Sequence, residues 1–274
     1  MKSTSSSLLA TAWCFFFCLS DVFANESTSV ETNETSVSQD AELPEMAAIS
    51  DVQTKKDTFF GFLEPIIEQA NLRIQAERAW LKVIETDLRN DRALAAWQHS
   101  LLEKLGNDYK VDEPVGSRAY FAELFLRVDV LPASLVLAQA ANESAWGTSR
   151  FAVDGNNLFG QWCFTKGCGL VPSGRDSDES HEVRVFDSVT ESVNSYFRNI
   201  NTHRQYHSLR TIRSELRYLG QALDSETLAW GLEGYSIRGE HYIRELIAMI
   251  RYNRLDEFDQ PAFYASRAIE VRRQ

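Results

Sequence analysis

The chain has 274 residues and a formal net charge of −11. A nucleic-acid footprint would be strongly basic, so this balance excludes nucleic acid as a partner, and the length allows a core domain with a helical preface. The charge is uneven: Asn25 to Thr54 holds seven Asp or Glu and no Lys or Arg, so that stretch carries −7, and the remainder, where Lys2 and Asp21 cancel, carries −4.

Lys2, the apolar run Leu8 to Leu19 and the small-residue site Val22-Phe23-Ala24 together predict a secretory signal peptide over 1–24, cut after Ala24. The run is far shorter than the ~20 residues a bilayer span needs. With no second run downstream, no membrane span is expected in the mature chain. Cys18 lacks the small residues that precede a lipidated cysteine. The expected location is the periplasm, with secretion as the alternative. Cleavage removes Cys14 and Cys18 and leaves Cys163 and Cys168 in an oxidising compartment, which predicts one disulfide closing a short loop. A metal site there would need two further ligands. None is placed for it, so no metal is expected.

Residues 25–54 read as a disordered acidic tether. Beyond it, Leu63, Ile67, Ala70, Ile74, Leu81, Ile84 and Leu88 recur at helical spacing and predict a long amphipathic helix. A second helix is expected with Leu94, Trp97, Leu101 and Leu105 on its inner face and Gly106 as its stop. These two are expected to form a helical preface over 55–115, packed on the main domain over 116–258. Tyr120, Phe121, Leu124 and Phe125 mark the next helix, and Pro132 opens another at its first turn.

That helix, Ala133 to Ser144, is rich in small residues and places Glu143 in its last turn, with Gly147 as the C-terminal cap. From Asn156 to Phe186 the texture changes to two strand-like ends around a Gly-, Ser- and Asp-rich middle, which predicts a small β-hairpin lobe stapled by Cys163 and Cys168. Helices resume at the capping box Ser188-Val189-Thr190-Glu191. More are expected near Thr211 to Leu219, near Glu226 to Leu232 and around Ile243, Leu246, Ile247 and Ile250. The tail 259–274 reads as loose.

Glycosidic hydrolysis needs a protonated carboxylic acid beside the leaving oxygen. Burial and the negative end of a helix both push a carboxyl pKa upward. Glu143 has that setting, with Trp146 and Phe151 as walls against water; the alternative is a helix-end glutamate tied to Arg150. Trp162, Phe159 and Asn157 are candidates to line sugar subsites, while Leu158 and Phe159 equally suit anchoring the hairpin to the core.

The run Leu137 to Gly147, with Glu143-Ser144-Ala145-Trp146-Gly147, followed by Asn156-Asn157-Leu158-Phe159-Gly160, resembles the bacterial β-N-acetylglucosaminidase domain, glycoside hydrolase family 73. Trp162-Cys163 and Gly167-Cys168-Gly169-Leu170-Val171-Pro172 resemble the Bax-type branch of that family. The resemblance implies an α+β, mainly α, lysozyme-like fold in two lobes, acting on the bond after N-acetylglucosamine in peptidoglycan glycan strands. It implies Glu143 as the catalytic acid.

It also implies a second carboxylate in the β-lobe, for which Glu182 stands nearest and Glu179 is the alternative. A groove tyrosine is implied by a Tyr-x-x-Asp-x-x-Tyr segment. Tyr235 to Tyr242 is its counterpart, one residue longer and without the Asp, which makes Tyr235 the candidate.

Other chemistries find no support. His203 and His207 lack a His-Glu-x-x-His setting, Ser144 lacks a nucleophile elbow, and no glycine loop cradles a phosphate, so no cofactor is expected. A lytic transglycosylase and a non-catalytic glycan-binding envelope protein are the rival readings.

Overall fold

The structure, a computed structural model, describes residues 42–175 and 179–259. The expected signal peptide, the tether as far as Ala41 and the tail from Gln260 lie outside the described residues. No described helix is long and apolar enough to cross a membrane.

The tether was expected to run to Thr54, but Glu42 to Thr54 is built into the fold. Met46, in a short 3-10 turn, is buried at 2% exposure. Asp51 then caps helix α1 (Val52–Arg89) by accepting from the Thr54 amide at 2.8 Å. An apolar island, Leu43 with Met46 to Ile49, lies inside the acidic composition, and averaging over the stretch hid it.

Along α1 the predicted stripe faces inward: Leu63, Ile67, Ala70, Ile74, Leu81 and Ile84 are all buried. Each fully buried Leu or Ile is worth roughly 1.5–3 kcal/mol, so this face holds the helix to the rest.

Helix α2 (Ala96–Tyr109) departs from expectation. Its buried face is Gln98, Leu102, Leu105, Gly106 and Tyr109, one position round from the predicted one. Trp97 is exposed and packs edge-on against the equally exposed Trp80, ring centroids 5.0 Å apart. Gly106 lies within the helix instead of ending it, and a Cβ there would meet the Tyr120 hydroxyl at 2.2 Å. The glycine is a site of close approach by α3 (Arg118–Arg127), and the helix ends on Lys110 in the left-handed region.

A buried ionic hub ties the connection after α3 to Arg78 of α1 and to Arg213 and Arg217. Asp129, 2% exposed, takes both donors of Arg217 at 2.9 and 3.1 Å and has Arg78 at 3.6 Å. Arg213, 1% exposed, donates to the carbonyls of Leu126, Arg127, Asp129 and Val130, and Arg78 to those of Phe125 and Val128. The carbonyls freed at the end of α3 are thereby satisfied without water.

Helix α4 (Ala133–Ser144) follows, with Pro132 as its N-cap, and every residue from Ala133 to Ala141 is buried. A helix apolar all round belongs in a core. It packs on α1, α8 (Ser225–Ala229), α9 (Glu240–Tyr252) and the terminal turn Leu255–Asp259. Asp259, expected in the loose tail, accepts from the Ser134 amide at 2.9 Å and from its hydroxyl, at the start of α4.

Short helix α5 (Arg150–Gly155) leads to the β-lobe, an antiparallel sheet of β1 (Trp162–Cys163), β2 (Gly169–Leu170) and β3 (Glu182–Arg184) in the order β1-β3-β2. The small β-lobe expected from the sequence is present, with a third strand added to the hairpin. The Cys163–Cys168 disulfide closes the turn between β1 and β2, and Gly169 and Leu170 pair with Arg184 and Val183 on the far side of β3. Helices α6 (Val189–Thr202) and α7 (His207–Tyr218) complete a mainly helical α+β architecture, consistent with the lysozyme-like expectation.

Candidate active site

The Glu-Ser-x-Trp-Gly run is a turn in which each conspicuous residue has a physical task. Ser144, fully buried, donates to the Ala140 carbonyl at 2.6 Å and accepts from the Gly147 amide at 2.8 Å, closing the end of α4. Ala145, Trp146 and Gly147 then run through positive φ of 49°, 60° and 74°. The left-handed region costs a non-glycine residue roughly 1–2 kcal/mol, so this turn stores strain next to Glu143. Trp146 bolts it down: its ring meets Phe59 and Phe60 of α1 at 5.9 and 5.3 Å, both edge-on. Gly147 is required twice, for its φ and because a Cβ would stand 3.0 Å from Met46. Trp146 was expected as a wall of Glu143, and its packing shows it to be an anchor onto the preface.

Glu143 is half-buried. Burial pushes its pKa above the usual carboxylate range, and Glu245 adds to that. Hydrogen bonding by Tyr242 and Asn142, and the charge of Arg238, oppose it without cancelling it. The alternative partner Arg150 is engaged elsewhere, donating to the Val171 carbonyl at 2.7 Å. Arg238 is itself paired with Glu245 at 2.7 Å, and His241 lies 3.2 Å from the same carboxylate.

The Asn156–Gly160 loop faces this carboxyl. Gly160 has φ +62°, and a Cβ built there would lie 4.0 Å from Oε2 of Glu143, so the missing side chain leaves the acid approachable. Asn157 is 1% exposed and its amide is spent on the loop itself. Nδ2 donates to the Gln161 and Arg184 carbonyls at 2.9 and 2.8 Å, and Oδ1 accepts from the amides of Phe159 and Gln161 at 3.3 and 3.0 Å. Phe159, 2% exposed, stacks on Tyr196 of α6 at 4.1 Å. Neither of these expected subsite residues presents a surface to a ligand. Both shape the loop, which is the anchoring role that Leu158, fully buried, shares. Trp162 is different: it is 57% exposed, with its ring backed by His181 at 3.9 Å and nearly parallel.

Glu182 is 5% exposed and its two oxygens are both occupied, Oε1 by the Gly167 amide at 3.0 Å and Oε2 by the Gly169 amide at 2.9 Å. Those bonds hold its pKa below the usual range. In this arrangement it staples the disulfide loop to β3. Glu179 is exposed and lies 3.4 Å from His181. The two cysteines and Glu182 do lie close together, but the sulfurs are joined in the disulfide.

Tyr235 donates to the Phe159 carbonyl at 2.9 Å and lies parallel to Tyr242 at 5.5 Å. Tyr242, at the other end of the segment, is the tyrosine that acts on the Glu143 carboxyl, lowering its pKa against the effect of burial, and the sequence does not single it out. Gln139 was missed as well. It stands four residues before Glu143, on the same face of α4, and that spacing is the signal that identifies it.

Residues 118–255 match the glucosaminidase family, described as mannosyl-glycoprotein endo-beta-N-acetylglucosaminidase. The chain is 35% identical over 212 residues to Protein bax of Escherichia coli (strain K12), an alignment covering 77% of this chain and 74% of that one. No solved structure matches it.

Proposed function

Because the chain belongs to the glucosaminidase family of glycoside hydrolases, we propose that it cleaves the β-1,4 bond after N-acetylglucosamine in peptidoglycan glycan strands, with Glu143 as general acid. One observation carries this reading: Glu143 is a half-buried carboxyl, raised in pKa by that burial and left approachable by Gly160. A raised pKa keeps the group protonated into the pH range where an ordinary glutamate would already be ionised.

In the first step Glu143 gives its proton to the glycosidic oxygen as the C1–O bond breaks. The occupied oxygens of Glu182 favour the substrate's own 2-acetamido oxygen as the group that bonds to C1, giving an oxazolinium ion that keeps the amide N–H. Water then opens that ring at C1, and the Glu143 carboxylate takes the water's proton, which restores the acid. Two displacements at C1 give net retention. Trp162 offers an aromatic face for a pyranose ring, and Tyr235 holds the loop that carries Gly160.

The test is digestion of purified peptidoglycan followed by mass spectrometry. New reducing-end N-acetylglucosamine is expected from the native chain and none from Glu143→Gln. Anhydromuramic ends would establish a lytic transglycosylase instead, and unchanged glycan with retained binding would establish a non-catalytic glycan-binding protein. Residues 1–24 support export, with the periplasm as the site of action; a processed N-terminus at Asn25 in the periplasmic fraction is the expected finding.

A further inference from the structure

Behind Glu143 runs a chain of buried hydroxyl and amide groups with one polarity. Tyr196 of α6 is fully buried, and its hydroxyl donates to Oε1 of Gln139, which is itself fully buried. Gln139 Nε2 in turn donates to the Tyr242 hydroxyl at 3.0 Å. Gln139 stands one helical turn before Glu143 on the same face of α4, which brings the Tyr242 hydroxyl it holds alongside the Glu143 carboxyl, and the two groups act on each other electrostatically.

An amide can be turned end for end, and its orientation has to be argued from its partners. Here Tyr196 decides it. The Gln139 oxygen is the acceptor for its hydroxyl hydrogen. Reversing the amide would leave that hydrogen facing an N–H donor in a fully buried position, with its hydrogen bond unmade. With Oε1 on Tyr196, Nε2 must face Tyr242 and fill its oxygen, which leaves the Tyr242 hydrogen to turn toward Glu143.

We propose that Gln139, oriented by Tyr196, is a positioning residue that turns the Tyr242 proton onto one carboxyl oxygen of Glu143, so that the acid's own proton resides on the other oxygen. The inference rests on the reading of Glu143 as the catalytic acid. The relay is closed on both sides by ring packing: Tyr196 lies under Phe159, and Tyr242 lies against Tyr235. Its donors all point toward the carboxylate, so it works against the desolvation that raises Glu143, and each bond in such a chain polarises the next. Other charged or titratable groups acting at this carboxyl are Arg238 and Glu245, with Tyr206 and Tyr235 also coupled to it.

The experiment follows the Glu143 carboxyl carbon by NMR titration in the full mature chain and in Gln139→Met, Gln139→Glu, Tyr196→Phe and Tyr242→Phe, with circular dichroism to verify folding. Tyr242→Phe removes the donor and should raise the Glu143 pKa by about one pH unit, a roughly tenfold change in its proton affinity. Gln139→Glu places an acceptor where the relay has a donor, drawing the Tyr242 proton away and adding a negative charge, and should raise it at least as far. Gln139→Met and Tyr196→Phe should give smaller upward shifts. The alkaline limb of kcat/KM should move with the pKa in each variant.

A purely structural role for Gln139 would lower stability equally in the Met and Glu variants and leave the Glu143 titration in place, and that result overturns the proposal. Should Gln139→Glu fail to fold, Tyr242→Phe and Tyr196→Phe still decide it. The NMR readout needs no turnover, so activity surviving in Glu143→Gln would remove the catalytic reading separately from the relay.

Discussion

The hydroxyl of Tyr235 donates to the backbone carbonyl of Phe159 across 2.9 Å, tying the segment before α9 to the loop that places Gly160 before Glu143. Tyr235→Phe removes that bond and keeps the ring stacked on Tyr242. Stability should fall by roughly 0.5–1.5 kcal/mol, as for a typical hydrogen bond, measured by urea denaturation. The product pattern on peptidoglycan should be unchanged, because Glu143 is untouched.

Glu143→Gln separates activity from stability. Loss of a general acid lowers kcat by about 10²–10⁴, read as loss of clearing in a peptidoglycan gel. The folded-state pKa of Glu143 is raised, so its contribution to stability is fully present below the unfolded carboxyl pKa and is lost as pH rises through the folded value. Gln does not titrate. The variant should therefore melt above the native chain at neutral pH, by a margin that grows with pH until Glu143 is fully ionised.

Gly160→Ala tests the approach to the acid. Its φ of +62° makes any side chain strained, at roughly 1–2 kcal/mol. The added methyl also lies over Oε2 of Glu143. A fall in kcat/KM well beyond the loss of stability is expected, and activity at the native level would sink the idea that substrate reaches Glu143 past this glycine.

Glu182→Gln keeps the shape of the side chain but turns one acceptor oxygen into a donor facing the amides of Gly167 or Gly169. Faster proteolysis of the disulfide loop is expected, with kcat held within an order of magnitude. A general base would instead cost ~10²–10⁴. Its pKa is depressed in the fold, so the staple is present above the ordinary carboxylate range and weakens as pH falls through the folded value.

Asp129→Ala leaves Arg213 and Arg78 with buried charge and no carboxylate. Breaking a buried pair costs about 3–5 kcal/mol, measurable by denaturation at pH 7. Burial pushes Asp129 upward, but Arg217, Arg213 and Arg78 outweigh it and its pKa is lowered. The stabilisation should accordingly persist above the usual carboxylate pKa and fade as pH drops through the folded one.

Much of this was written locally in the chain. Periodicity placed α1 and its inner face, and small residues ending in Glu143-Ser-Ala-Trp-Gly placed a buried helix with an acid in its last turn, because both are consequences of 3.6 residues per turn. The motif also carried the family. What local pattern could not supply was the task of each conspicuous residue. Asn157 and Phe159 looked like sugar contacts and are loop knots, and Trp146 looked like a wall and is an anchor on α1. Gly106 looked like a stop and is a contact with Tyr120, and Trp97 looked buried and lies outside.

Each of those depends on which distant segment arrives opposite, and a sequence pattern reports a residue's face on its own element but not its neighbour across the gap. Residues 139, 196 and 242 are far apart in the chain, yet they meet behind Glu143 as one hydrogen-bonded line. That the chain would offer an acid at the end of α4 was legible in the order of its residues. How that acid is held, opposed by Tyr242 and left open by Gly160, was decided only when α6, α9 and the Asn156–Gly160 loop packed around it and removed it in part from water.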